Sequence, residues 1–205
     1  MNASPASTLR ERPKEQAAPR IKGRQRLYPR QKQLQRLVEQ NLPWPMVRSL
    51  IRAGTASPWT DHHHRQKCIF VHIPKNAGNS VSQAIYGAPF LGHDPLSHFY
   101  AFDPIKAEQC FKFAFSRNPW DRLVSAYHYL KSSERHGIDR SFADEYLNDY
   151  ATFDEFVAAL GNRSVLLAWH HFRPQHEFVQ IAEKRPLDFI GKVETIASDF
   201  DLVAE

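Results

Sequence analysis

The stretch IFVHIPKNAGNSV, residues 69–81, decides how the chain is read. Cys68 to Ile73 form an apolar, partly β-branched run with the length of a buried strand. Pro74-Lys75 stops it, and Asn76-Ala77-Gly78-Asn79-Ser80 is small, polar and glycine-bearing. Val81, Ala84 and Ile85 then resume at helical spacing. The pattern predicts strand, tight loop and helix. A helix start leaves backbone N–H groups able to hold an anion, and Lys75 stands beside them with a matching positive charge.

A second stretch repeats the arrangement. The run 111–115 reads as a strand, Ser116-Arg117-Asn118-Pro119 as a loop, and 119–131 as a long helix with proline near its first position. Its apolar stripe is read as Trp120, Leu123, Val124 and Tyr127, which leaves Arg122 and Ser125 away from the core. Arg117 and Ser125 could then meet a second phosphate-like group. Two such loops after two strands suit a ligand with two separated anionic groups. The Walker arrangement is absent, because the lysine precedes the glycine. The competing reading of each loop is an ordinary strand-to-helix turn with a surface cation.

Working outward, further helical material is expected at 31–40, 46–52, 153–160, 163–171 and 175–183, with a short strand at 188–190. Thr152 and Glu155 form a capping box for the helix at 153–160. Residues 1–26 read as disordered, 55–66 as a connector, and 132–150 as charged and irregular. A last helix from Ser198 has under two turns before Glu205, which suits a packed stub, a truncated protein or a naturally minimal one. Strands alternating with helices predict an α/β fold, a mostly parallel sheet flanked by helices. In such sheets ligands lie beyond the carboxyl ends of the strands, where both polar loops fall.

Charge divides the chain. Residues 1–65 carry 13 Arg and Lys against 4 Asp and Glu, and the remaining 140 carry 14 against 18. The positive balance therefore belongs to the N-terminal arm, so no nucleic-acid partner is expected for the folded part. The arm could instead touch a membrane surface or a polyanion. The two cysteines, Cys68 and Cys110, lie in strand-like runs and read as buried free thiols. With no membrane-spanning run and no hydrophobic signal core, a cytoplasmic location is expected. His62, His63 and His64 are adjacent in a connector, a poor metal-site spacing.

Together IFVHIPKNAGNS and FKFAFSRNPWDRLVSAYHYL, supported by HFRPQHEF and DFIGKVETIASDF, resemble the sulfotransferases that use 3′-phosphoadenosine-5′-phosphosulfate (PAPS), in their bacterial and Golgi carbohydrate-type branch. The likeness spans roughly residues 68–203. It implies a P-loop-like nucleotide-binding fold, with a basic arm at 1–65 and the sulfotransferase domain at 66–205. It implies that Lys75, Asn76, Ala77, Gly78, Asn79 and Ser80 hold the phosphosulfate, and that Arg117 and Ser125 hold the 3′-phosphate. Ala77 and Asn79 depart from the usual loop, which resembles PKTGGTS. His93, after Gly92, matches the acceptor-activating base, with His98 as the alternative; Lys75 would assist departure of the product, adenosine 3′,5′-bisphosphate (PAP). No metal is implied. The acceptor would be a hydroxyl-bearing small molecule or glycan.

Arg173, Pro174 and Gln175 match a recurring stretch of the same family, and Arg163 with His170 or His171 are assigned to the acceptor cleft. Tyr86, Phe90, Phe99 and Tyr100 are candidates for stacking on a sugar or aryl ring, with core packing as their other role. Two other readings stay open at this point: a P-loop kinase-like nucleotide enzyme, and a PAP-binding protein without catalysis.

Overall fold

The computed structural model describes residues 23–88, 90–132, 137–182, 184 and 186–204. Its elements in chain order are α1 (Gly23–Asn41), α2 (Trp44–Gly54), α3 (Asp61–Gln66), β1 (Cys68–Val71), α4 (Gly78–Tyr86), α5 (Leu96–Phe102), α6 (Pro104–Gln109) and β2 (Phe111–Ser116). There follow α7 (Pro119–Lys131), α8 (Gly137–Tyr146), α9 (Phe153–Leu160), α10 (Ser164–Ala168), α11 (His176–Val179), β3 (Phe189–Lys192) and α12 (Ile196–Ala204), with a 3₁₀ turn at Val193–Thr195.

The strands pair in the order β1-β2-β3, both pairs parallel, with Phe70 opposite Phe113 and Phe113 opposite Phe189. Alternation along the strands sends Ile69, Val71 and Ala114 to one face and Cys68, Phe70, Phe113 and Phe115 to the other. The first face packs on α5 and α11 through Leu96, Phe99, Tyr100, Phe178 and Val179. The second is covered by Val81 and Tyr86 of α4 and by Ile196, Phe200 and Val203 of α12. The terminal helix is therefore a packed element that begins two residues before Ser198.

The expectation of a P-loop-like α/β fold, a mostly parallel sheet flanked by helices, needs correction. Among the described residues strand accounts for 9% and helix for 62%, and the sheet is a small open one of three strands. The reason lies in where the bulky side chains fall. A separate core is built from helices and their connections alone: Tyr127, Leu130, Phe142, Leu147, Phe156, Leu166, Trp169 and Phe172 pack together without any strand. The Phe142 and Trp169 rings stack 4.2 Å apart at 4°. Much of the apolar burial that would otherwise require a wider sheet is supplied there.

Helices also form where none was expected, among them α3 within the expected connector 55–66, α5, and α8 within the segment read as irregular. Helix α5 is buried over Leu96–Ala101 and so shows no amphipathic period. Helix α8 is charged but buries Phe142 and Ala143. The expected disorder at 1–22 lies outside the described residues, whereas 23–26 belong to α1, which passes through Pro29. No helix among the described residues is long and apolar enough to cross a membrane.

Helix α1 is fastened by ion pairs. Arg36 makes a fork on Glu177, with Nη2 2.6 Å from Oε1 and Nε 2.9 Å from Oε2. Arg173 bridges back, with Nη2 2.6 Å from Glu39 and Nε 3.0 Å from Glu177. Glu39 also faces His98 at 3.8 Å, and His98 meets Asp94 at 3.2 Å through its other ring nitrogen. Burial opposes ionisation of Glu39, but hydrogen bonds from His98 and Arg173 outweigh it and push the carboxyl down to about 2. Burial likewise works against charged His98, and its bonds to Asp94 and Glu39 leave its pKa raised.

The signs are opposite for the two groups. The Glu39 contribution is complete above its ordinary value of 4.5 and is lost as pH falls toward 2. The His98 contribution is complete below 6.5 and fades as pH rises through its higher folded value. Denaturant titrations at stepped pH should therefore show an acid-limb loss from this pair network of about 2–3 kcal/mol. Glu39→Gln should flatten that limb; an unchanged slope would contradict the assignment.

Candidate active site

The loop after β1 and the loop after β2 lie side by side at the carboxyl ends of adjacent parallel strands. Arg117 Nη1 donates to the Lys75 carbonyl oxygen at 3.1 Å. Gln175 joins the two loops through its amide. Its Oε1 accepts from Asn76 Nδ2 at 2.7 Å and from the Arg117 backbone N–H at 3.0 Å, while its Nε2 donates to the Arg117 carbonyl at 2.8 Å. Asn76 donates also to the Phe115 carbonyl at 2.6 Å.

Beneath both loops lies Arg122, buried and 5% exposed. Its guanidinium donates to three backbone carbonyls: Pro74 at 2.9 Å, Arg173 at 3.0 Å and His170 at 3.3 Å. Burial lowers its pKa to about 10, so it stays charged at neutral pH. The expected stripe on α7 is thus displaced. Arg122, Ala126, Tyr127 and Leu130 face inward, whereas Trp120 is 71% exposed. Asn118 caps the helix by accepting from the Trp120 N–H at 3.0 Å.

The loop after β1 is strained where it turns. Lys75 (φ 69°) and Ala77 (φ 58°) both occupy the left-handed region, a cost of about 1–2 kcal/mol each for residues with a Cβ. Gly78 has a different task. A Cβ there would fall 1.8 Å from His72 Cδ2, so only glycine lets the imidazole lie on the start of α4. Asn79 and Ser80 are exposed at that helix start.

A cleft of about 660 Å³ opens beside this loop. Lys75, Ala77, Gly78, Asn79 and Ser80 form one side, and His72, His93, Phe90 and Asp94 the next. Tyr129, Asp139, His170 and His171 lie along the wall, with Tyr28 and Lys32 contributed by α1. Lys75 Nζ sits 4.4 Å from the centre of the Tyr129 ring. Asn76, Arg117 and Ser125 do not line this cleft; Asn76 is spent on the loop clamp and Ser125 is half-buried on α7.

His93 occupies the cleft with a defined tautomer. Its Nδ1 lies 3.0 Å from the His72 carbonyl, which can only accept, so Nδ1 carries the proton and Nε2 keeps a lone pair. Burial first, then the neighbouring His170, lowers its pKa to about 4, which keeps the ring neutral. Gly92 before it has φ 110°, a backbone that other residues rarely adopt. His98 is elsewhere: it is buried in the ion-pair network that holds α1 and lines no part of this cleft.

Of the other candidates, Phe90 reaches the cleft, whereas Tyr86, Phe99 and Tyr100 are core residues. His170 and His171 line it and Arg163 does not. His63 is buried and caps its own helix, taking a hydrogen bond on Nδ1 from the Thr60 N–H at 3.2 Å.

The expectation of a metal-free site is overturned by three residues of the same wall. Asp139, His170 and His171 each offer a ligand atom, all within 4.8 Å of one another, a grouping that could hold a metal ion. Asp139 comes from α8 and the histidines from the turn after α10. Sequence reading missed the carboxylate because it lies 31 residues before its first partner; the only local signal was the adjacent His170-His171. Burial would raise the Asp139 carboxyl, but hydrogen bonds from His170 and His171 outweigh it and hold it well below the usual carboxylate range.

A family model described as Sulfotransferase family matches residues 95–205, just over half of the chain. The match includes Arg117, Arg122, Asp139, His170, His171 and Gln175, while Lys75 and His93 precede it. No curated protein and no solved structure matches the chain.

Arg122 generates a direct prediction. A lysine there has one ammonium for three dispersed carbonyls and cannot reproduce the planar fork. Arg122→Lys should lower unfolding free energy by roughly 2–3 kcal/mol, read by denaturant titration. A loss below about 0.5 kcal/mol would show that the carbonyls find other donors.

Proposed function

The chain belongs to the sulfotransferase family, and from that premise we propose that it transfers a sulfuryl group from PAPS to an acceptor hydroxyl on a carbohydrate or glycolipid. The observation that carries the reading is the joined pair of loops. Lys75 and Arg117 stand at the ends of neighbouring strands, and Arg117 Nη1 donates to the Lys75 carbonyl. One donor with phosphates at both ends of its nucleoside suits that pair, and holding it at two points limits its motion before reaction.

In this reading the start of α4, with Asn79 and Ser80, receives the phosphosulfate end, and Arg117 with Ser125, outside the cleft lining, receives the 3′-phosphate beyond its edge. His93 Nε2 takes the acceptor's hydroxyl proton. The acceptor oxygen forms its bond to sulfur as the bond from sulfur to the bridging phosphate oxygen breaks. Negative charge develops on that oxygen as PAP departs. Lys75 and the N-terminal amides of α4 stabilise it there, which is where electrostatic catalysis gains most. Phe90 and Tyr28, on the cleft rim, offer ring faces to the sugar.

Steady-state transfer from labelled PAPS to a panel of glycans and glycolipids tests the roles separately. Lys75→Ala should cut kcat by about 100-fold or more with a small change in the KM for PAPS. Arg117→Ala should raise that KM about tenfold or more with a smaller effect on kcat. Unchanged constants in either variant would overturn that residue's role.

A further inference from the structure

We propose that Asp139, His170 and His171 form a binding site for a divalent first-row transition cation of the zinc type, set in the wall of the cleft. The proposal rests on the side-chain geometry and stands whether or not the chain transfers sulfuryl groups.

The spacing fits such an ion. Asp139 Oδ1 lies 3.3 Å from His170 Nε2, and Oδ2 lies 3.1 Å from His171 Nε2. Around a tetrahedral zinc ion, with bonds of about 2.0–2.1 Å, neighbouring ligand atoms are roughly 3.3 Å apart. Each observed separation is close to that length, one to each carboxylate oxygen, and the three ligand atoms all lie within 4.8 Å of one another. The three residues converge from two distant segments, and both rings turn Nε2 to one carboxylate.

The carboxylate is itself fixed from outside. Trp169 Nε1 donates to Oδ1 at 3.2 Å, and the Tyr129 hydroxyl donates to Oδ2 at 3.2 Å. Such outer bonds orient a ligating carboxylate and are a regular part of metal sites. Arg122 adds to this by donating to the His170 carbonyl, which ties that turn to α7. The turn bearing both imidazoles is thus held by backbone as well as side chains.

The donor set selects the ion. Two imidazoles and one carboxylate suit zinc and its first-row neighbours, while magnesium and calcium prefer all-oxygen shells. Three protein ligands leave a four-coordinate ion one position to fill. Because all three residues line the cleft, that position falls to water or to an oxygen of a molecule entering it. His93 stacks on His170 with ring centres 5.4 Å apart, and Tyr129 carries Lys75 on its ring face. An ion there would stand between the proposed base and the proposed donor lysine.

The competing account is a carboxylate that only orients two histidines by hydrogen bonds. Calorimetric titration of Zn²⁺ into chelator-treated, full-length chain separates the two, with Co²⁺ absorption in the visible as a second reading. The site predicts one equivalent bound, affinity reduced about 100-fold in His170→Ala, and no change in the doubly substituted His62→Ala, His64→Ala chain. Mg²⁺ should not compete. No binding by the native chain, or equal binding in His170→Ala, would overturn the proposal. Should His170→Ala fail to fold, imidazole ¹⁵N spectra of the native chain decide: Zn²⁺ must shift the His170 and His171 ring nitrogens, and shifts confined to other histidines would refute the site.

Discussion

A single buried guanidinium holds the site together. Arg122 spans the Pro74, His170 and Arg173 carbonyls, and so joins the loop after β1 to the turn that carries the cleft histidines. Burying a charge is costly, and the three carbonyl dipoles that Arg122 meets offset that cost. Gln175 completes the joint on the other side by holding Asn76 and Arg117 together. With both in place the strained residues Lys75 and Ala77 keep their positive φ, because the surrounding bonds leave the loop no alternative path.

The architecture follows from this division of labour. A three-stranded sheet is just wide enough to set two loops beside each other at its carboxyl edge. The cleft's remaining wall comes from the helical core, where the ring stack of Phe142 on Trp169 places α8 against the turn after α10. Asp139 and the two histidines sit at that contact. The N-terminal helix then closes one side of the cleft with Tyr28 and Lys32, and its grip depends on the Arg36–Glu177 and Arg173–Glu39 pairs. Residues of sheet, helical core and N-terminal helix therefore meet at a single opening.

What could be read from sequence was local. Strand β1 and its loop were legible because an apolar run, a proline and a resumed helical period succeed each other within 13 residues. Helix α7 was legible from Asn118-Pro119, and α9 from its Thr152–Glu155 capping box, which forms as expected. The inward face of α7 was misread because hydrophobicity alone assigns Trp120 inward and Arg122 outward; the buried arginine answers to carbonyls contributed by other segments. Helices α5 and α8 escaped for opposite reasons, one buried on nearly every side and the other carrying four charged residues in ten. The width of the sheet and the partnership of Asp139 with the paired histidines depend on tertiary packing, which no window of sequence contains.

The central claim is that the two strand-end loops make one receptor for a doubly phosphorylated nucleoside. Isothermal titration of PAP into the full-length chain at low salt tests it with neither acceptor nor turnover. The account predicts saturable binding at one site per chain. A folded chain that takes up no PAP would contradict it.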